Sequence, residues 1–407
     1  MVPKVSKKLL TDTTPRDWRL LDRLSLLPRL RNLAGSPSKK GDNRWIIGQG
    51  FEERQESSVT DRIKRLVLPT STIIEASSPL LRLFLLEDDC EQLASREVIV
   101  RKQSNTNIEV YRAPHVLVTK GLKRSAFADF DVAFRHALRG IHGPHEDREL
   151  LLFLAAYLQT ALARFFLFHT SSNWGVSRAE VHVGELLRLP FPLPEQGYDA
   201  KRCRSIIQEV AQVVMEAANR AKEAVIGRDE IVAQASITTE KLVEEYFDVD
   251  DIERMLIADT DTIIIPSVRP TRAHPDVPTI RPTNDEHRAM YTRLLRDTLN
   301  DWANTAYQVH GRTAVDDAVG VGLVVLEKTQ RGQPPARLDA AMEDVRSVII
   351  RLQQTAAKSY GSFELVRGLK VFDKNLLYIT KPLGQRFWTN TAALNDADEI
   401  ATTILTR

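Results

Sequence analysis

The stretch LLFLAAYLQTALARFFLF at 151–168, followed by HTSSNWGVSRAEVHVGELLRLPFPLPEQ at 169–196, decides how this chain is read. Its first part has about the residue count of one bilayer. However, Gln159, Thr160 and Arg164 interrupt it, and Glu146, Asp147, Arg148 and Glu149 crowd its start. Arg164 near mid-membrane would be costly. A long helix buried on nearly every side of a large domain is the expected structure, with no membrane contact. The second part reads as a Trp-Gly turn, a strand with a short helix, and an exit. Pro190, Pro192 and Pro194 alternate there, which excludes a regular helix and enforces an extended boundary.

Upstream, residues 1–43 form a basic N-terminal arm with a short amphipathic helix over RDWRLLDRLSLLPRLRNLA. RWIIGQGF at 44–51 has a β-branched run closed by glycines, as a strand entering a tight turn does. REVIVRK at 96–102 and VYRAPHVLVTKG at 110–121 repeat the strand pattern. Residues 44–198 make one domain. Residues 199–262 make a helical connector: a long helix over 200–226, then a helix that Thr238 or Thr239 can cap, a turn and a second helix. Five prolines between 263 and 283 mark an extended linker. Residues 284–407 alternate helical and strand patterns, as a smaller α+β domain. The fold class is therefore α/β (α+β), with a mixed sheet, a long buried helix, a helical connector and a C-terminal α+β domain.

A chain of 407 residues with 43% hydrophobic and 27% charged residues is ordinary for a globular protein. Cys90 and Cys203 cannot build a disulfide framework, and a reducing, cytoplasmic location is the default. The net charge of +2 conceals an uneven distribution. Residues 1–50 hold eleven Lys/Arg against four Asp, and residues 101–140 hold eight against three acids. Residues 240–261 hold nine acids against two bases. A basic front half can supply phosphate contacts to nucleic acid; a solvated surface is the plain alternative.

Catalytic patterns are sparse. The Pro-Pro pair at 334–335 has no Asn or Asp before it and no aromatic after it. Gly320-x-Gly322 precedes an apolar run instead of following a strand into a helix, so it reads as a hairpin turn. His142 and His145 flank a Gly-Pro that forbids a helical metal pair. Asp316 and Asp317, with Glu327 and Lys328, loosely resemble a nuclease carboxylate set.

Four pieces in order carry a family resemblance: WIIGQGF (45–51), YRAPHVLVTKG (111–121), the apolar helix with its lead-in (134–168), and TSSNWGVSRAEVHVGELLRLPFPLP (170–194). Together they resemble the C-terminal target-recognition region of N6-adenine DNA methyltransferases of restriction-modification and phage-defence systems. KLVEEYFDVDDIERMLIADT (241–260) resembles the helical tail of such enzymes. The catalytic domain that precedes this region in the family has no counterpart here, so the chain resembles a specificity subunit or fragment. The resemblance implies double-stranded DNA as ligand and no cofactor on this chain. It places S-adenosylmethionine on a separate methyltransferase catalytic subunit or domain, with other defence subunits as further partners and no methyl transfer by this chain alone.

Loop chemistry then nominates DNA-contacting residues. Gly48, Gln49 and Gly50 permit close backbone approach, and Gln pairs with adenine; a turn requirement explains the glycines equally. Lys120, Lys123 and Arg124 suit phosphates, or are ordinary surface charge. Ser171, Ser172, Asn173, Trp174 and Arg178 form a polar turn, in which Trp174 either packs or stacks. Two other classes stay open: an interaction scaffold docking through the acidic 240–261 helices, and a divergent nuclease in the C-terminal domain.

Overall fold

The computed structural model describes residues 13–35, 43–54, 63–102, 104, 106–172, 174, 180–224, 227–268, 270, 276–303, 306–318, 320–338, 347–352, 354 and 369–405. It is a mixed α/β (α+β) molecule whose contacts separate into two units. Unit 1 comprises residues 1–11 and 20–253; unit 2 comprises 12–19 and 254–407.

The chain opens with α1 (Pro15–Leu26), β1 (Ala34–Gly35), β2 (Trp45–Gln49), β3 (Ile63–Val67), β4 (Thr72–Ile74) and β5 (Leu83–Phe84). Next come β6 (Glu91–Gln92), β7 (Glu97–Arg101), β8 (His115–Thr119), β9 (Ser125–Ala128), β10 (Ala133–Phe134) and β11 (Leu138–His142). Six of these form a sheet in the order β1-β2-β11-β8-β9-β5, antiparallel at its centre and parallel at both edges. The expected N-terminal arm is built into the fold where it is described. Leu20, Leu24 and Leu30 are buried, and β1 pairs with β2 as an edge strand.

Every residue of β8 is buried, because the sheet is covered on both faces. On one side lies a core containing Phe51, Tyr111, Leu117, Phe134 and Leu138. On the other packs α2 (Arg148–Tyr157), with α5 (Ala200–Glu223) and α6 (Arg228–Tyr246) behind it, while α3 (Ala161–Thr170) packs with the short α4 (Val183–Leu186). Each fully buried Leu, Val or Phe contributes about 2 kcal/mol.

The expected single helix at 151–168 is two helices meeting at 73°. The polar pair inside the apolar run makes the break. The Thr160 hydroxyl accepts from Ala163 N–H (3.2 Å) and donates to the Tyr157 carbonyl (2.7 Å). Gln159 Nε2 donates to the Ser125 carbonyl at 2.7 Å, and Glu240 accepts from Ala161 N–H at 2.8 Å. Among the described residues no single helix is long and apolar enough to cross a membrane. The α2–α3 pair passes that test only jointly, and its apolar residues are buried in unit 1.

α5 matches the expected long helix, capped by Asp199 and buried at Cys203, Ile206, Ile207, Val210 and Val214. Thr238 and Thr239 do not cap a helix, because α6 begins at Arg228 and carries both in its interior. After Asp248 at φ 49°, α7 (Asp251–Asp259) continues through a π-turn at Thr260–Ile264 into α8 (Ile265–Val268). The proline-rich linker is thus helical in its first residues.

Unit 2 contains α9 (Asp285–Trp302), β12 (Tyr307–Asp316), β13 (Val321–Gln330), β14 (Lys370–Asp373), β15 (Leu376–Pro382) and α10 (Asn390–Leu405). The strands form an antiparallel sheet in the order β12-β13-β15-β14. Alternation along β13 sends Val324 and Leu326 toward Tyr291, Leu295, Trp388 and Ala397. It sends Leu323 and Val325 toward Leu338, Val348 and Leu352. Both faces are therefore covered, which is why VGLVVL at 321–326 is apolar without interruption. Gly320 (φ 70°) turns the β12–β13 hairpin, and a Cβ on Gly322 would meet Trp388 Cζ2 at 2.4 Å. Gly320-x-Gly322 is thus a hairpin and packing feature.

Candidate nucleic-acid interface

Strand register brings the separated sequence pieces to one end of the unit 1 sheet. Gln49 on β2 pairs with Arg139 on β11, and Arg139 pairs in turn with Val118 on β8. One step further out, Gly50 N–H donates to the Leu138 carbonyl (3.1 Å), and Leu138 stands opposite Thr119. The β8–β9 turn at 120–124 projects from this same end. Thr119 closes it, accepting from Arg124 N–H at 3.1 Å through its hydroxyl. Val181 N–H donates to the Lys120 carbonyl at 2.8 Å, fastening the segment before α4 to that turn. The separate motifs therefore converge because the antiparallel pairings align their ends.

Within that convergence the nominated residues differ in what their groups do. A Cβ on Gly50 would meet the Phe134 carbonyl at 2.3 Å and the Arg135 carbonyl at 2.5 Å; one on Gly48 would meet Val110 Cγ1 at 2.9 Å. Both glycines are accounted for by packing inside the unit. Gln49 between them is exposed. Lys123 is exposed and Lys120 half-buried, and neither ion-pairs with any described residue. Arg124 is anchored, donating to the Ala76 carbonyl at 3.2 Å. Ser171 is buried. Ser172 is committed to Glu185, whose Oε1 accepts from its N–H (2.6 Å) and hydroxyl (2.7 Å). Trp174 is 6% exposed and meets Phe168 edge-on at 6.1 Å, so it packs under the turn. Asn173 and Arg178 lie outside the described residues.

Glu185 organises this corner. Its Oε2 accepts from His182 N–H at 2.8 Å, which caps α4 while Oε1 holds Ser172. Burial raises its carboxyl, but the donors from Ser172 and His182 outweigh that and leave it below the usual range.

Sequence reading missed Arg139. It is 3% exposed, its buried Nε has no hydrogen-bond partner, and its side chain makes no ion pair among the described residues. Burial pushes its guanidinium down to about 10, against the opposing pull of Glu180 and Glu185. It stays charged at neutral pH. Directly opposed residues on antiparallel strands share a face, so Arg139 and Gln49 are side-by-side neighbours, with Lys120 and Lys123 on the adjoining turn. The available signal was a charged residue inside HALRGIH, at a position where the strand is otherwise buried.

Elsewhere, much of the N-terminal basic charge is paired. Arg16 and Arg19 bind Asp398, Arg23 binds Glu253, and Arg44 binds Asp147. The nuclease-like carboxylates are not assembled. Asp316 and Glu327 pair with Val321 and His310, so six positions of the hairpin, roughly 20 Å, separate them. Glu327 is buried and accepts N–H groups from Ala336 (3.3 Å), Arg337 (3.0 Å) and Leu338 (2.8 Å), holding a loop. Among the described residues no group of His, Cys, Asp and Glu could hold a metal ion.

No family model and no curated protein matches the chain. Among solved structures it is similar to the type IIG restriction endonuclease BpuSI, at 10% identity and TM-score 0.29, covering 57% of this chain and 33% of that one. It is also similar to the HsdS subunit from Thermoanaerobacter tengcongensis, at 12% identity and TM-score 0.23, covering 58% and 52%. A structure concerned with complex assembly and conformational transition of the type I R-M system gives 12% identity and TM-score 0.22, covering 57% and 53%. The chain spans between a third and about half of those chains. Likenesses at such scores carry no functional weight.

Proposed function

We propose that unit 1 is a DNA target-recognition module of a restriction-modification system, with the β2–β11–β8 sheet end as its reading edge. In this reading Gln49 contacts base edges, since a Gln amide pairs with adenine, and Arg139, buried beside it across the ladder, positions that strand end. Lys120 and Lys123 contact flanking phosphates and set register without specifying sequence. Methyl transfer and S-adenosylmethionine belong to a partner methyltransferase chain, and this chain supplies specificity.

The observation that carries the reading is the alignment of Gln49, Arg139 and the Lys120–Arg124 turn at one sheet end, with two lysines that ion-pair with no described residue and a charged guanidinium whose Nε has no hydrogen-bond partner among the described residues. A buried guanidinium whose Nε lacks a partner costs stability, a cost that Glu180 and Glu185 offset in part. The scaffold alternative is less supported. Several acids in 240–261 are occupied internally: Glu240 by Ala161, Glu245 by Arg202 and Glu253 by Arg23.

Selection of bound duplexes from a randomised pool by the full chain tests the proposal. Wild type enriches a recurring short sequence, and Gln49→Ala and Arg139→Gln abolish the enrichment while duplex retention persists. A bound pool with the composition of the input contradicts it.

A further inference from the structure

Unit 2 holds a second basic feature, unrelated to the sheet end of unit 1. Four arginines, Arg288, Arg293, Arg296 and Arg312, line a cleft of about 290 Å³ between α9 and the edge strand β12. Helical spacing places Arg288, Thr292 and Arg296 on one face of α9, with Arg293 beside them. The floor is Gly311, where a Cβ would meet Leu326 Cδ2 at 2.9 Å and Thr292 Cγ2 at 3.2 Å. A larger residue there would push α9 off the strand and spoil the cleft.

Two arginines are held in place. Arg288, with 13% of its side chain exposed, donates to the Thr283 carbonyl at 2.9 Å and pairs with Asp285. Arg296 pairs with Asp297 at 2.7 Å. Among the described residues Asp285 is the one carboxylate in the lining, and it is fully exposed, so solvent screens its charge. Arg293 is exposed and bonded to no described residue. Thr292 and Thr313 hydroxyls bond one another inside the cleft.

We propose that this cleft binds phosphoryl groups. Guanidinium forks match phosphate oxygens in paired hydrogen bonds, and four around one small space give a polyanion site. Among the described residues the lining contains no aromatic ring on which a base could stack. The volume lies at the lower end of ligand pockets, which suits two or three phosphoryl groups and not a whole nucleotide. The cleft therefore recognises phosphate irrespective of base. Its source is either a free polyphosphate-bearing ligand or a nucleic-acid backbone.

Calorimetric titration of the full chain with sodium tripolyphosphate at low ionic strength tests this. One saturable site is expected, weakened about tenfold by Arg293→Ala and again by Arg296→Ala, and unchanged by Lys120→Ala with Lys123→Ala. Arg293 is exposed and bonded to no described residue, so its replacement leaves the fold intact. Absence of a saturable site, or equal binding by both arginine variants and wild type, overturns the proposal. A competition arm on the Lys120→Ala, Lys123→Ala chain then names the source. Displacement of a labelled duplex by tripolyphosphate assigns the site to nucleic-acid backbone. Tripolyphosphate binding without displacement assigns it to a free phosphorylated ligand. Loss of sequence enrichment in the selection experiment leaves this result untouched, so the two proposals fail separately.

Discussion

Gln49 and Arg139 stand directly opposite each other on neighbouring antiparallel strands, one exposed and one buried with an unpartnered Nε. They are ninety residues apart in sequence, and only the pairing of β2 with β11 makes them neighbours. Arg139 is costly to the fold, its burial offset only in part by the charges of Glu180 and Glu185. Replacing it with a residue of similar volume and no charge, Arg139→Met, raises the urea midpoint by about 1 kcal/mol equivalent while removing sequence preference. A midpoint that falls by a similar amount would show that Arg139 is a structural cation held by Glu180 and Glu185.

Packing requires glycine at position 50. Gly50→Ala drives a methyl against two backbone carbonyls that cannot swing away, and costs about 2–3 kcal/mol in urea unfolding. Gln49→Ala, one residue earlier and exposed, leaves the midpoint within about 0.5 kcal/mol. Equal effects from the two would remove the distinction between a packing glycine and a contact side chain.

Glu327 is a structural carboxylate. Glu327→Gln turns an acceptor-only group into one with an NH₂ facing the N–H donors of Arg337 and Leu338, at a cost of about 2–3 kcal/mol. Unfolding followed by hydrogen exchange in the 333–338 loop checks it. Full protection of that loop in the variant would contradict the assignment.

Acid acts through two buried groups, His115 and Asp17, with opposite signs. In unit 1, His115 is fully buried with Nδ1 on the Val110 carbonyl at 2.8 Å, and burial depresses it to about 4. Its unfolded form takes up a proton first, so unit 1 loses stability as pH falls from about 6.5 through 4. In unit 2, burial, with Asp259 nearby, raises Asp17 to about 6 against the hydrogen bonds from Thr14. That contribution is present below about 3.8 and is lost as pH rises through 6, so Asp17 favours the fold on acidification. Each displacement corresponds to about 3 kcal/mol. Peptide-resolved hydrogen exchange in urea separates the units, and His115→Phe and Asp17→Asn flatten the respective profiles. Parallel profiles for both units would refute the assignment.

How far the sequence can be read depends on which forces are local. β2, β7 and β8 are legible because β-branched runs and bounding turns are local signals, and so is α5 from its apolar spacing. The break between α2 and α3 is visible only as Gln159 and Thr160, polar residues in a segment whose partners, Ser125 and Glu240, are supplied by distant chain. Trp174 and Ser172 look locally like polar-turn residues, but Phe168 and Glu185 claim them through tertiary packing. Arg139 lies between two strand-like motifs with nothing local to reveal that its neighbour across the ladder is Gln49.

The most direct test of the reading edge is the salt dependence of duplex binding by the full chain, compared with Lys120→Ala, Lys123→Ala. Each phosphate neutralised contributes about −0.9 to the slope of log K against log salt. The account predicts a steep wild-type line and a double-variant line shallower by about two. Parallel lines for the two chains, or no duplex binding at low salt, would contradict it.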